Sequence, residues 1–165
     1  MKPMILEKIE NLAEKLLKEI GANSLPIPVE EVAGRYRIQI RRAKSKDFSG
    51  LLIRKDDYAL IGINSSEAET RQRFTVAHEL GHFFLHPKKD TFIDYRNNRR
   101  IVRTPREMEA NMFAAALLMP RKILENDYKK MSFMGFGDED LSELASRYHV
   151  SDDAMRFRLM NLRLK

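Results

Sequence analysis

Five residues, His78-Glu79-Leu80-Gly81-His82, constrain this chain more than anything else in it. The surrounding stretch has helical character from Glu67 to about Leu85, with Phe74, His78, Gly81, His82 and Leu85 along one stripe. Two imidazoles four residues apart stand one turn apart on such a helix, so both point at the same spot. Zinc in a catalytic site usually takes three protein ligands and leaves the fourth position to water, whose pKa falls to about 7. Glu79, beside the first imidazole, reaches that water as a general base and can later hand the proton to a leaving amine. Three of the four histidines fall between His78 and His86, a clustering that core histidines rarely show.

The third ligand has to come from elsewhere. His86 lies one further turn along, but three consecutive turns do not easily converge on one ion. The metzincin solution, a glycine bend with a third histidine six residues after the second, is absent. His86 reads as a helix-end or supporting residue. Glu109, on the next helical segment in Glu107-Met108-Glu109-Ala110-Asn111, approaches from a different direction and completes a His2Glu set, with Glu107 as its rival. The chain has no cysteine, which excludes thiolate ligands, a cysteine nucleophile and a disulfide framework together.

The rest of the chain supplies the frame. Ile5, Ile9, Leu12, Leu16, Leu17 and Ile20 recur at helical spacing up to Gly21, and Pro28 opens a short helix through Ala33. From Tyr36 the period becomes two, with Tyr36, Ile38 and Ile40 alternating with Arg35, Arg37, Gln39 and Arg41. Gly50 to Ile53 and Tyr58 to Ile63 follow, joined by a turn at Asp56-Asp57. These predict an α+β fold: an antiparallel sheet of about three strands packed with helices, including the one that carries the histidines. His86 to Thr104 reads as a loop, Pro105 to Met119 as a helix, and Pro120 starts another. The longest apolar run, Met112 to Met119, is too short to span a bilayer, and the broken N-terminal pattern points to the cytoplasm.

Two blocks resemble a known family, the ImmA/IrrE metallo-endopeptidases: Arg71-Gln72-Arg73-Phe74-Thr75-Val76-Ala77-His78-Glu79-Leu80-Gly81-His82, and Glu109-Ala110-Asn111-Met112-Phe113-Ala114-Ala115-Ala116-Leu117-Leu118-Met119-Pro120. The resemblance spans nearly the whole chain. It implies a zincin-like peptidase domain over residues 1–137, one zinc ion held by His78, His82 and Glu109, and Glu79 as the catalytic glutamate. It also implies a protein substrate, a helix-turn-helix repressor whose cleavage relieves repression of stress or mobile-element genes. One departure from thermolysin-like enzymes is Phe113, not Asp, four residues after Glu109, which leaves the support of the ligands undefined.

Several residues have less definite readings. Tyr95, His86 and the arginines before Glu109 are the candidates for an oxyanion stabiliser. Asn64 ends the strand that leads into the histidine helix, and zinc peptidases commonly hold substrate as an added strand. The net charge of +6 is densest at Arg96, Arg99, Arg100, Arg103 and Arg106, read as a solvated loop or a docking surface. Residues 138–165 form a helix-turn-helix-like pair packed on the first domain, with Ser151 as N-cap of the second helix and His149 where glycine is usual. Arg156, Arg158 and Arg163 would support DNA binding, whereas Asp152 and Asp153 would oppose it by facing phosphates. The alternative to a peptidase is therefore a non-catalytic, zinc-stabilised regulator that binds DNA or protein through these helices.

Overall fold

Ile9, Ala13, Leu16 and Leu17 are all buried, which makes α1 (Pro3–Glu19) an amphipathic helix with one face in the core. It closes in a Schellman turn, where the Ala22 and Gly21 amides donate to the Leu17 and Lys18 carbonyls. The computed structural model describes residues 3–88, 90–95, 104–133 and 135–164, with the backbone alone at Pro3 and Tyr95. Along it follow α2 (Val29–Arg35), β1 (Ile38–Ala43), β2 (Phe48–Lys55), β3 (Tyr58–Asn64), α3 (Glu69–Leu85), β4 (Thr91–Tyr95), α4 (Pro105–Leu118), α5 (Arg121–Met131), α6 (Asp138–Tyr148) and α7 (Asp152–Leu162). The class is α+β, as the periodicities predict.

The sheet differs in detail from the three antiparallel strands expected. Among the described residues it has four strands in the order β1-β3-β2-β4 and is mixed, because β1 pairs with β3 in parallel. β2 and β3 form the hairpin, with Lys55 opposite Tyr58 across Asp56-Asp57, and Asp56 takes the φ of 50° that a tight turn requires. Tyr36 lies before the strand: it ends α2, and Arg37 turns the chain at φ 57° before the ladder begins at Ile38. The fourth strand, β4, lies within the stretch read as loop and pairs antiparallel with β2.

Asn64 explains how β1 reaches the far side of the hairpin. Its buried side chain donates to the Ser45 and Phe48 carbonyls and accepts from the Ser45 and Ser66 amides and the Ser66 hydroxyl. One amide thus satisfies the crossing between β1 and β2, where no ladder is available. Asn64→Ala is expected to cost about 2–3 kcal/mol by orphaning these groups, read as a lower urea midpoint at unchanged slope. A midpoint within error of wild type would mean that water replaces the bonds.

One face of the hairpin lies on α3, and α4 lies on α3 from the other side. The apolar run of α4 is buried nearly all round, between α3 and α1. Gly81 sets how close the two helices come. A Cβ there would stand 3.0 Å from the Ala110 Cα and 3.1 Å from its carbonyl oxygen. This approach carries the first turns of α4 to the histidine stripe.

The C-terminal helices join the same core through Leu144, Tyr148, Met155 and Leu159. The buried Tyr148 hydroxyl donates to Asp127 on α5 at 2.8 Å. Arg158, one of the arginines offered for DNA, is buried: its Nε donates to the Met119 carbonyl at 3.1 Å and its guanidinium grips Glu10 on α1. Ser151 caps α7 by accepting from the Ala154 amide, and His149 turns the chain at φ 54° between the two helices. Among the described residues, no helix is long and apolar enough to cross a membrane.

Candidate metal centre

His78 and His82 project from one face of α3, and their Nε2 atoms stand 3.0 Å apart. Glu107, in the first turn of α4, bridges them, with Oε2 at 3.2 Å from His78 Nε2 and Oε1 at 3.3 Å from His82 Nε2. These three side chains form a His2Glu donor set whose ligand atoms all fall within 4.8 Å of one another. The tautomers follow from the outer contacts. His78 Nδ1 lies 2.9 Å from Asn111 Oδ1, an acceptor, so Nδ1 carries the proton and Nε2 keeps its lone pair. Lone pairs that converge in this way repel one another unless a cation or proton sits among them, which is the fit a divalent metal requires.

The third carboxylate is where the expectation from sequence and the geometry part. Glu109, expected as the ligand, does not join the cluster; its Oε2 lies 3.0 Å from His86 Nε2. Two residues of helix separate Glu107 from Glu109 by about 200° of rotation, so only one of them can face a given point on α3. A signal for Glu107 was present in the sequence. Asn111 lies four residues after it, on the same helical face, and holds His78 as Glu107 faces it. The gap left by Phe113 after Glu109 is filled once the frame moves back two residues.

Glu79 is fully buried beside the donor set, and among the described residues neither of its carboxylate oxygens has a hydrogen-bond partner. Burial is the main cause that lifts its pKa from 4.5 to about 8, with the His78 charge opposing and Asp94 and Glu107 adding. Glu107 shifts the other way: with no metal bound, its contacts with the His78 and His82 imidazoles at 3.2 and 3.3 Å hold it well below the usual carboxylate range, against the cost of burial. Burial would depress the His78 imidazole, yet Glu107 and Glu79 together carry it above its ordinary value, while for His82 burial prevails and lowers it. Opposed shifts in neighbouring carboxyls mark a site built around charge.

The remaining candidates sort plainly. Both His86 nitrogens are engaged, Nδ1 with His82 and Nε2 with Glu109, which removes it as an oxyanion stabiliser. The Tyr95 side chain and Arg96, Arg99, Arg100 and Arg103 lie outside the described residues, whereas Arg106 is exposed at the start of α4. Asn64 belongs to the interior strand β3, which is paired on both sides and offers no edge to a substrate. Among the described residues, the outer strand nearest the donor set is β4, which the sequence reading had as loop. Phe92 stacks on His82 at 4.0 Å between ring centres, and Asp94 lies close enough to His78 for each to shift the other.

Comparison with known proteins agrees with this geometry. Residues 33–160 match the peptidase family described as the IrrE N-terminal-like domain. The chain is 28% identical to "Metallopeptidase ImmA" of Bacillus subtilis, over 93% of this chain and 85% of that protein. It is 33% identical to "Radiation response metalloprotease IrrE" of Deinococcus radiodurans, over 62% of this chain but only 31% of that longer protein. It is 35% identical to "Uncharacterized immunity region protein 2" of Bacillus phage phi105, over 48% of each. A solved structure, a Mycobacterium tuberculosis transcriptional regulator, shares the fold at a TM-score of 0.68 and 16% identity, covering 93% of this chain and 46% of that one. With a His2Glu set whose two histidines are buried, an adjoining glutamate and a family match over most of its length, the chain belongs to the IrrE N-terminal-like peptidase family, among metallopeptidases of the ImmA and IrrE type.

Proposed function

We propose that this chain is a zinc-dependent endopeptidase that holds its metal through His78, His82 and Glu107, uses Glu79 as general base, and cleaves a helix-turn-helix repressor. The convergence of two Nε2 atoms and one carboxylate carries the reading, because that donor set and its buried neighbour suit catalytic zinc. Bound there, zinc would polarise the scissile carbonyl, activate water and, by its charge, hold Glu79 ionised at neutral pH. Asn111 fixes the His78 ring, Phe92 fixes the plane of His82, and Glu79 takes and returns the proton. Among the described residues β4 is an outer strand of the sheet and lies beside the donors, where a peptide would add as a strand.

The repressor as substrate is supported by the likeness to a phage immunity-region protein and to a radiation-response protease. Such a substrate would place the enzyme in the cytoplasm. The non-catalytic regulator reading is weakened at α7, where Arg158 is buried against Glu10 and Arg156 pairs with Asp138 at 3.2 Å. The test is direct. A helix-turn-helix repressor encoded beside the gene, mixed with zinc-loaded protein, is expected to be cut at a discrete bond, and a chelator should stop the reaction. Zinc should bind at about one per chain, and Glu107→Ala should weaken it by more than the roughly 10–100-fold that a supporting residue contributes. Unchanged cleavage in chelator would sink the metal mechanism; an intact repressor beside a cleaved unstructured peptide would sink the substrate.

A further inference from the structure

Two histidines and a carboxylate form a chain that runs outward from the donor set. His82 Nδ1 lies 3.0 Å from His86 Nδ1, and His86 Nε2 lies 3.0 Å from Glu109 Oε2. His82 and His86 are buried, and Glu109 closes the chain at the surface with a quarter of its side chain exposed. We infer that Glu109 and His86 are positioning residues that select the metal-binding tautomer of His82. The inference rests on the proposed metal site, which it extends outward by two residues.

The logic is one of donors and acceptors. A carboxylate only accepts, so His86 must give its Nε2 hydrogen to Glu109. A neutral His86 then has a bare Nδ1, which accepts the Nδ1 hydrogen of His82. That leaves the His82 Nε2 lone pair directed at His78 and Glu107. Without Glu109, His86 is free to carry its hydrogen on Nδ1 instead. His82 Nδ1 must then accept, its Nε2 becomes the N–H, and the donor is lost. Stacking on Phe92, at 16° between planes, holds the plane of the ring and the contact with His86 sets which way round it lies, so the tautomer is the remaining freedom. A ligating histidine usually gives its outer N–H to a carboxylate, carbonyl or water; here a second histidine is interposed.

The test compares zinc affinity, by competition with a chromophoric chelator, across wild type, Glu109→Ala, Glu109→Gln and Glu107→Ala. Glu109→Ala should weaken zinc by about 10–100-fold. Glu109→Gln should recover most of this, because its amide oxygen still accepts from His86 Nε2. The cobalt-substituted Glu109→Ala protein should keep the visible bands of wild type, since the donors are unchanged. Because His86 is buried, His86→Ala is judged only after its thermal midpoint is known; in that background Glu109→Ala should add nothing. Wild-type affinity in Glu109→Ala overturns the inference, as does an equal loss in the Ala and Gln variants, which would mean that charge alone acts. Altered cobalt bands would make Glu109 a ligand and overturn it too. Failure of the underlying metal site shows separately, as wild-type zinc affinity in Glu107→Ala.

Discussion

Replacing Glu79 by Gln is expected to abolish peptidase activity and, in the metal-free protein, to raise stability. The two effects have one cause. Glu79 is fully buried with both oxygens unpartnered among the described residues, and burial pushes its pKa up to about 8 from an ordinary 4.5. A carboxyl with a raised folded pKa lowers stability as pH climbs from its unfolded value to its folded one, because the unfolded chain ionises first. At pH 7 the gap of about 2.5 units, at 1.36 kcal/mol each, sets an upper limit near 3 kcal/mol for what a neutral isostere recovers. Metal-free Glu79→Gln should therefore exceed wild type by about 1–3 kcal/mol at pH 7 and match it below pH 4.5. Without a base at this position the turnover rate should fall by about 10²–10⁴-fold while zinc is retained. A variant that keeps both zinc and peptidase activity would remove Glu79 from the chemistry.

Gly50→Ala carries the largest structural effect. A Cβ at Gly50 would stand 2.3 Å from Thr75 Cγ2 and 2.9 Å from Glu79 Oε1, both on α3. Neither can give way cheaply: Thr75 is stiff at χ1 and its hydroxyl is bonded to the Arg71 carbonyl at 2.9 Å, while Glu79 is enclosed. The sheet must then lift from the helix that bears the histidines. We expect a loss of about 3 kcal/mol, or roughly 6–12 °C in thermal midpoint for a chain of this size, together with reduced activity from a displaced Glu79. Thr75→Ala in the same chain should restore part of both. A midpoint for Gly50→Ala within about 2 °C of wild type would show that the sheet yields easily.

What could be read from the sequence was what is local. The helix bearing the histidines, the Asp56-Asp57 hairpin and the turn capped by Ser151 depend on neighbours within a few residues, and the structure has them. β4 was missed because its five residues become a strand only through pairing with β2, some forty residues earlier. The parallel pairing of β1 escaped for the same reason, since it follows from where the Asn64-stapled crossing delivers the chain. The choice between Glu107 and Glu109 turns on the rotation of α4 against α3, which is fixed where Gly81 meets Ala110; within α4 itself only Asn111, four residues after Glu107, points to it. Arg158 looked like a surface cation because its partner, Glu10, lies at the opposite end of the sequence.

Gly81 also separates two kinds of selection acting on one short motif. In an H-E-x-x-H pattern the chemistry leaves both middle positions open, but the backbone of Ala110, 3.0–3.1 Å from where a Cβ would stand, crowds the second. A population of variants screened for solubility alone would retain Gly81 and would tend to discard Glu79, whose burial works against folding. A population screened for cleavage would have to hold both. The five residues are thus a composite, in which the glycine answers to the architecture and the glutamate persists only under demand for the reaction.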